Sequence, residues 1–383
     1  MYNRNRLSRF SALLCAALCL SACAAAPPAP APAAGAAESL LAGDVTPLVG
    51  SVRLRTVEAP LTPALSLVVA SFDPGLPEST AGLSRLGIFP EIRRAEARFM
   101  PVLLRQVLQE SNAWGPVRVL PEPQTTAELQ VDGRILHSDG RVLLLQVRAV
   151  DAMGQVWLDR RYRDESQPGD YVAGSASDPF IDLYRQVAND LLAAYELQQS
   201  VALAQLPTIA LLRQARILAP AAFEGYLAEE GALVSLRRAP SEEDPMMARV
   251  QRIRDQEYRF IDAVDQQYVD LFETMQPTYN LWRQFGREQA EYREDYAQRL
   301  AQRDRAGPRG TFAAMEQTYN AFKWSKIQQQ DLEDLARGFN NEVQPTVLEA
   351  SGSVYRLSGS LENQYAEWRE ILEQIFRIES GLP

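Results

Sequence analysis

The stretch "AELQVDGRILHSDGRVLLLQVRAVDAMGQVWLDRRYRD", Ala127 to Asp164, decides how the first half of this chain folds. Two glycine turns, at Asp139-Gly140 and at Asp151-Ala152-Met153-Gly154, cut it into three strand-length runs. Within each run the side chains alternate. Leu129, Val131 and Ile135 face one way in the first run. Leu143, Leu145, Val147 and Ala149 share one side of the second, with Val142, Leu144 and Val150 on the other. In the third, Val156, Leu158 and Tyr162 alternate against Trp157, Asp159 and Arg161. Period-2 alternation with one richer apolar side predicts an antiparallel meander with one face on a core.

Upstream of the meander, "ALSLVVASF" (Ala64 to Phe72) is an apolar run of strand length that ends in the turn sequence "DPG". "FPEIRRAEARFMPVLLRQVLQES" then places Phe99, Leu103 and Val107 on one helical line and Met100, Leu104 and Leu108 beside it. Pro101 falls inside this pattern and predicts either a kink or a helix start. Val117 to Leu120 read as a short strand. Downstream, Ser177-Asp178-Pro179 signals a helix start, with Phe180, Tyr184, Val187, Leu191 and Tyr195 as its stripe. The order β-α-β-β-β-α predicts an α+β module over 49–200, a small antiparallel sheet with two helices on one face. Its sheet edge either accepts a strand from a partner or is covered by the C-terminal region.

The strand, Gly-Arg hairpin and D-x-x-G segment of this module resemble a bacterial envelope group. That group includes TolB amino-terminal domains, curli-secretion lipoproteins and penicillin-binding-protein activator lipoproteins. The resemblance implies a binding and assembly element and carries no catalytic residue.

Beyond Leu203 strand signals fade, and an all-helical domain is expected over 201–383. "LPTIALLRQARIL" and "AAFEGYLAEEGALVSL" read as short helices ending at Ala219-Pro220 and Ala239-Pro240. From Met247 the apolar spacing becomes heptad-like: Val250, Ile261, Val264, Tyr268, Leu271 and Met275, with Arg254 and Glu257 interrupting. The scheme returns at Val354, Leu357, Leu361, Trp368, Ile371, Ile375 and Ile378, with Gln364 in the seam. Such seams predict a long-helix hairpin or bundle, or a coiled coil that makes a homo-oligomer. "FETMQPTYN" (272–280) and "FAAMEQTYN" (312–320) suggest a duplicated hairpin around the loop "RDRAGPRG". Tyr279, Trp282, Tyr319 and Trp324 lie on the seam, as do Tyr365 and Trp368. They are candidates for a partner-binding groove, against the plainer role of filling bundle layers.

The first 22 residues combine a basic start (Arg4, Arg6, Arg9) with an apolar core from Phe10 to Ala22. That core is shorter than the ~20 residues a transmembrane helix needs, and the layout is that of a secretory signal. Its end, Leu20-Ser21-Ala22-Cys23, resembles the bacterial lipoprotein lipobox. The resemblance implies cleavage before Cys23 and acylation (palmitate) of that residue; Ala24, in place of an inner-membrane-retaining Asp, implies the outer membrane. Residues 23–48 are Ala/Pro-rich and read as a tether, about sixteen residues of polyproline II reaching roughly 50 Å.

All three cysteines lie at or before Cys23, and His137 is the sole histidine. Cysteine and histidine metal sites, disulfides and thiol nucleophiles are therefore excluded from the mature body. His137 reads as a solvated turn residue beside Ser138 and Asp139. No GxGxxG, GxxxxGK[ST] or GxSxG motif occurs, so no cofactor is expected. The formal charge of −10 becomes near −13 without the signal arginines, which disfavours nucleic acid as a partner. The expectation is a non-enzymatic outer-membrane lipoprotein facing the periplasm, which binds envelope protein partners. The rivals are a self-associating spacer between membrane and cell wall, and a glycan-acting enzyme using paired carboxylates.

Overall fold

The computed structural model describes residues 46–79, 83, 88–171, 178–241, 243–303, 330, 334 and 345–381. Its elements are β1 (Leu67–Ala70), α1 (Pro90–Glu110), β2 (Val117–Leu120), β3 (Leu129–Ser138), β4 (Val142–Asp151), β5 (Val156–Glu165), α2 (Ile181–Glu196) and α3 (Ser200–Leu218). There follow β6 (Leu227–Glu230), β7 (Leu233–Leu236), α4 (Pro245–Arg303), β8 (Thr346–Ala350), β9 (Ser353–Leu357) and α5 (Leu361–Ser380). The class is α+β.

The three runs of the Ala127–Asp164 stretch pair as an antiparallel meander, β3 with β4 and β4 with β5. Leu145 stands opposite Ile135 on one side and Tyr162 on the other, so these side chains form one cross-strand row on the core face. The sheet as a whole corrects the antiparallel expectation. Its order is β2-β1-β3-β4-β5, and β1 runs parallel to both β2 and β3. A helical crossover returns the chain in the same direction, so β1-α1-β2 closes as a parallel pair. β1 is only LVVA and buried throughout, a two-sided burial typical of a central parallel strand.

α1 neither starts nor breaks at Pro101: the proline lies inside a helix that opens on Pro90. Both of its apolar lines are buried because α1 is covered on two sides. Phe99 and Met100 are each 1% exposed. On one side it packs with α2 against the sheet; on the other it meets α4, running antiparallel to it. Contacts step along the pair from Arg105–Asp265 through Phe99–Phe272 (ring centroids 4.1 Å) to Phe89–Trp282 (6.3 Å). α5 lies antiparallel to the first half of α4, with Phe260 stacked on Tyr365 and Trp368 at 5.9 and 6.4 Å. One apolar cluster runs through both halves of the chain.

The region expected to be all-helical carries two β-hairpins, β6–β7 and β8–β9. "AAFEGYLAEEGALVSL" is thus no helix: the turn between Glu230 and Leu233 is Gly231-Ala232, with Gly231 at φ 65°. A left-handed glycine at the first turn position suits a type II′ hairpin. Val354 and Leu357 belong to β9, not to a helical seam. There the turn is Ser351-Gly352, with φ 48° and 75°, the double left-handed geometry of a type I′ hairpin. Ser177 of the expected helix start lies outside the described residues, and the helix begins later than Pro179. Helix α2 begins at Ile181, and Asp178 accepts a hydrogen bond from the Phe180 N–H just ahead of it (2.9 Å).

Both sheet edges are engaged by this chain. Along β2, the Arg118 Nε donates to Asp262 of α4 at 2.7 Å, with the guanidinium 4.2 Å over the Tyr258 ring. At β5, the Val49 N–H donates to the Arg163 carbonyl at 2.8 Å, so the segment leading back to the tether joins the sheet there. Cys23 lies outside the described residues, and none of the described helices is long and apolar enough to cross a membrane.

Candidate functional site

The densest polar chemistry in the interior lies where α1, the β3–β4 turn and the start of α2 meet α4. Glu96 of α1 is 1% exposed. It receives the Tyr279 hydroxyl at 2.6 Å, the Ser138 hydroxyl at 2.7 Å and Arg93 Nε at 3.0 Å. Arg93 also donates to the Ser138 carbonyl at 3.1 Å. One helical turn further along α4, Arg283 reaches Asp178 at 2.6 Å, with both side chains at 1% exposure or less. Its guanidinium sits 4.3 Å from the Tyr279 ring centre. Another turn on, Arg287 donates to the Ser166 carbonyl at 2.8 Å.

The backbones meet as closely as the side chains. Gly140 has φ 86°, and a Cβ there would lie 2.1 Å from the Arg283 carbonyl oxygen. A Cβ on Gly286 would lie 2.5 Å from the Asp139 carbonyl oxygen. Two glycines, one on each partner, let the turn sit against the helix backbone. The turn is stiffened by Asp139, whose Oδ1 accepts the Arg141 and Val142 N–H groups at 2.9 and 2.8 Å.

Protonation states follow from burial and partners. Burial pushes the Tyr279 and Tyr184 hydroxyls well above the usual phenol range, and the Glu96 charge adds to this. Burial also works against the charge on Arg283, but Asp178 outweighs it and keeps the guanidinium protonated. For Asp139, burial is outweighed by the hydrogen bond and charge of His137 and by the two turn N–H groups, and its carboxyl is held low. Asp164 is pushed up to about 6, first by burial and then by Asp182, Asp170 and Asp178. Two donors at the junction, Tyr184 Oη and Arg283 Nε, are buried without a partner.

A second feature is an open groove of about 300 Å³ between the C-terminal part of α1, the start of β2 and α4. Its walls carry Arg105, Arg118, Asp262 and Asp265 over Val117 and Val269. The charges pair with each other: Arg105 with Asp265 at 2.8 Å, Arg118 with Asp262 at 2.7 Å. Burial pushes the Asp265 carboxyl up to about 6 despite Arg105.

Of the seam aromatics, Tyr279 and Trp282 are 2% and 9% exposed and line α1 instead of a surface groove. Tyr365 and Trp368 are likewise interior; the Tyr365 hydroxyl donates to Glu257 at 2.6 Å and the Trp368 Nε1 to the Gln256 carbonyl at 3.2 Å. Tyr319 and Trp324 lie outside the described residues. His137 and Ser138 sit on opposite faces of β3. The imidazole Nε2 is 3.0 Å from Asp139, whereas the Ser138 hydroxyl is given to Glu96, so the three do not align as a triad. Among the described residues, no group of three or more His, Cys, Asp or Glu could hold a metal ion.

Sequence reasoning missed Glu96, Arg93, Arg283 and Gly286, and read Gly140 as a turn residue without its contact with α4. The signal was present for Glu96, which lies four residues before Met100 on one of the two apolar lines of α1. A charge on a seam is a buried charge seeking a partner. Among the described residues, Glu96 and Asp178 accept from hydroxyls and cations of their own chain. The arrangement fixes a helix. No protein-family model matches the chain, and no curated protein matches it.

Proposed function

We propose that this chain is a non-enzymatic outer-membrane lipoprotein, fastened through acylated Cys23 and facing the periplasm, whose body binds protein partners in envelope assembly, secretion or transport. The observation that carries this reading is the pairing of a lipobox-like signal and tether with a body in which the buried charges Glu96, Asp178 and Arg283 hold α4 in place. A 59-residue helix fixed at Arg287 leaves 16 residues to Arg303, about 24 Å at 1.5 Å per residue. Such an arm suits contact with another protein better than turnover of a small substrate. In the same reading α4 and α5 form a long-helix hairpin or bundle. The alternative is a structural spacer that self-associates through its heptad seams.

Metabolic labelling with palmitate tests the anchor. The wild-type chain should carry label and sediment with outer membranes, and Cys23→Ser should lose both properties. A labelled, firmly particulate Cys23→Ser chain would overturn the reading. Sedimentation of the chain without residues 1–23 separates binder from spacer, since a spacer should dimerise or assemble further. Hydrolysis of cell-wall material that co-purifies with the chain and is lost on mutation would favour the enzyme instead.

A further inference from the structure

The two halves of α4 differ in the balance of contacts that hold them. Before Pro277 the helix is bound through a long apolar face, with Val250, Ile253, Phe260 and Ile261 each 3% exposed or less, alongside the polar contacts of Arg254, Glu257, Asp262 and Asp265. The apolar side chains have nothing to gain from water, and α3, α5 and α1 surround them. After Pro277 the fastenings are mainly ionic and polar: Tyr279 on Glu96, Arg283 on Asp178 and Arg287 on the Ser166 carbonyl. Buried ion pairs sit near break-even against their hydrated state, because desolvation offsets most of the Coulomb attraction. Arg283 Nε and Tyr184 Oη have no acceptor when docked, and water would supply one on opening; Arg105 Nε and Gln256 Oε1 are likewise unpaired beside the first half, where the apolar face is longer. Trp282 against Phe89 and Tyr279 against Phe99 are the apolar contacts that favour the closed form.

The boundary between the halves is itself weak. Pro277 has no N–H, so the bond it would make to the Glu273 carbonyl is missing from α4. That break falls between Phe272, packed on Phe99, and Tyr279, the first residue of the latch.

We propose that the part of α4 beyond Pro277 is a hinged arm, which undocks as a unit from Glu96, Asp178 and the β3–β4 turn while the part before it stays packed. Undocking separates Gly140 from Gly286 and brings the Tyr279 and Trp282 rings, interior in the docked form, to the surface. The proposal does not depend on the lipid anchor.

Amide hydrogen exchange on the detergent-solubilised full-length protein tests it. Amides of 279–287 should exchange at least thirtyfold faster than those of 253–264, although both stretches are mid-helix. Arg283→Met, which leaves Asp178 buried without its cation, should accelerate 279–287 a further tenfold or more and leave 253–264 unchanged. Equal exchange rates in the two stretches of the wild-type chain would overturn the hinge. So would a variant that accelerates both stretches alike, which marks loss of global stability. If the variant does not fold, the wild-type comparison decides alone.

Discussion

Replacing Gly286 by Ala sets two effects of opposite sign against each other. In a solvent-facing helix interior, Gly→Ala stabilises by about 1 kcal/mol, because Ala loses less backbone entropy. In the docked structure the new methyl would lie 2.5 Å from the Asp139 carbonyl oxygen. Comfortable C···O approach is about 3.3 Å or more, so the shortfall is close to 0.8 Å. The obstacle is backbone, in a turn pinned by two hydrogen bonds to the Asp139 carboxylate and by Gly140 against Arg283. Overpacking of this kind costs about 1–3 kcal/mol, with rigid backbone toward the upper end. The net expectation is a loss of about 1–2 kcal/mol after the propensity gain of about 1 kcal/mol is subtracted. Urea unfolding of the chain without residues 1–23, followed by far-UV circular dichroism, measures it, provided the m-value is unchanged. A gain near 1 kcal/mol would mean that Gly286 faces solvent, and it would refute the docking of α4 on the β3–β4 turn.

Tyr279→Phe removes the hydroxyl from Glu96 while keeping the ring; thermal or urea unfolding should report a loss of about 1–2 kcal/mol, since hydrogen bonds to charged groups are the stronger kind. Glu257→Leu leaves Gln124, Gln214 and the Tyr365 hydroxyl without their common acceptor. It should cost about 3 kcal/mol or more in the same assay, and a neutral result would count against this buried cluster. Asp164 has a folded-state carboxyl raised to about 6. A raised carboxyl contributes stability that is present below the ordinary carboxylate range and lost as pH rises through about 6. Asp164→Asn should therefore raise the melting temperature relative to wild type at pH 7.5, with the difference closing by pH 4.5. An equal shift at both pH values would contradict the sign of the effect.

What the amino-acid sequence determined by itself is what neighbours along the chain can enforce. Alternation over Leu129 to Tyr162, with glycines at the turns, specified three strands and most of their inward side chains, since a pleat fixes which residues share a face; Val156, opposite an irregularity in β4, is 50% exposed instead. The apolar lines of Phe99 and Met100 specified α1. Hairpins β6–β7 and β8–β9 escaped because Glu- and Leu-rich runs satisfy a helical period, and a left-handed glycine turn is a two-residue signal inside them.

Tertiary structure alone decided the rest. It put β1 between β2 and β3, because strand order depends on where α1 returns the chain. It turned Tyr279 and Trp282 inward, because a second helix covers them. It brought Glu96 to Tyr279, Asp178 to Arg283 and Gly140 to Gly286, pairs separated by 183, 105 and 146 positions. The free energy of burying a charge or of fitting two backbones together depends on the partner that arrives across such a gap, and no local period records that partner.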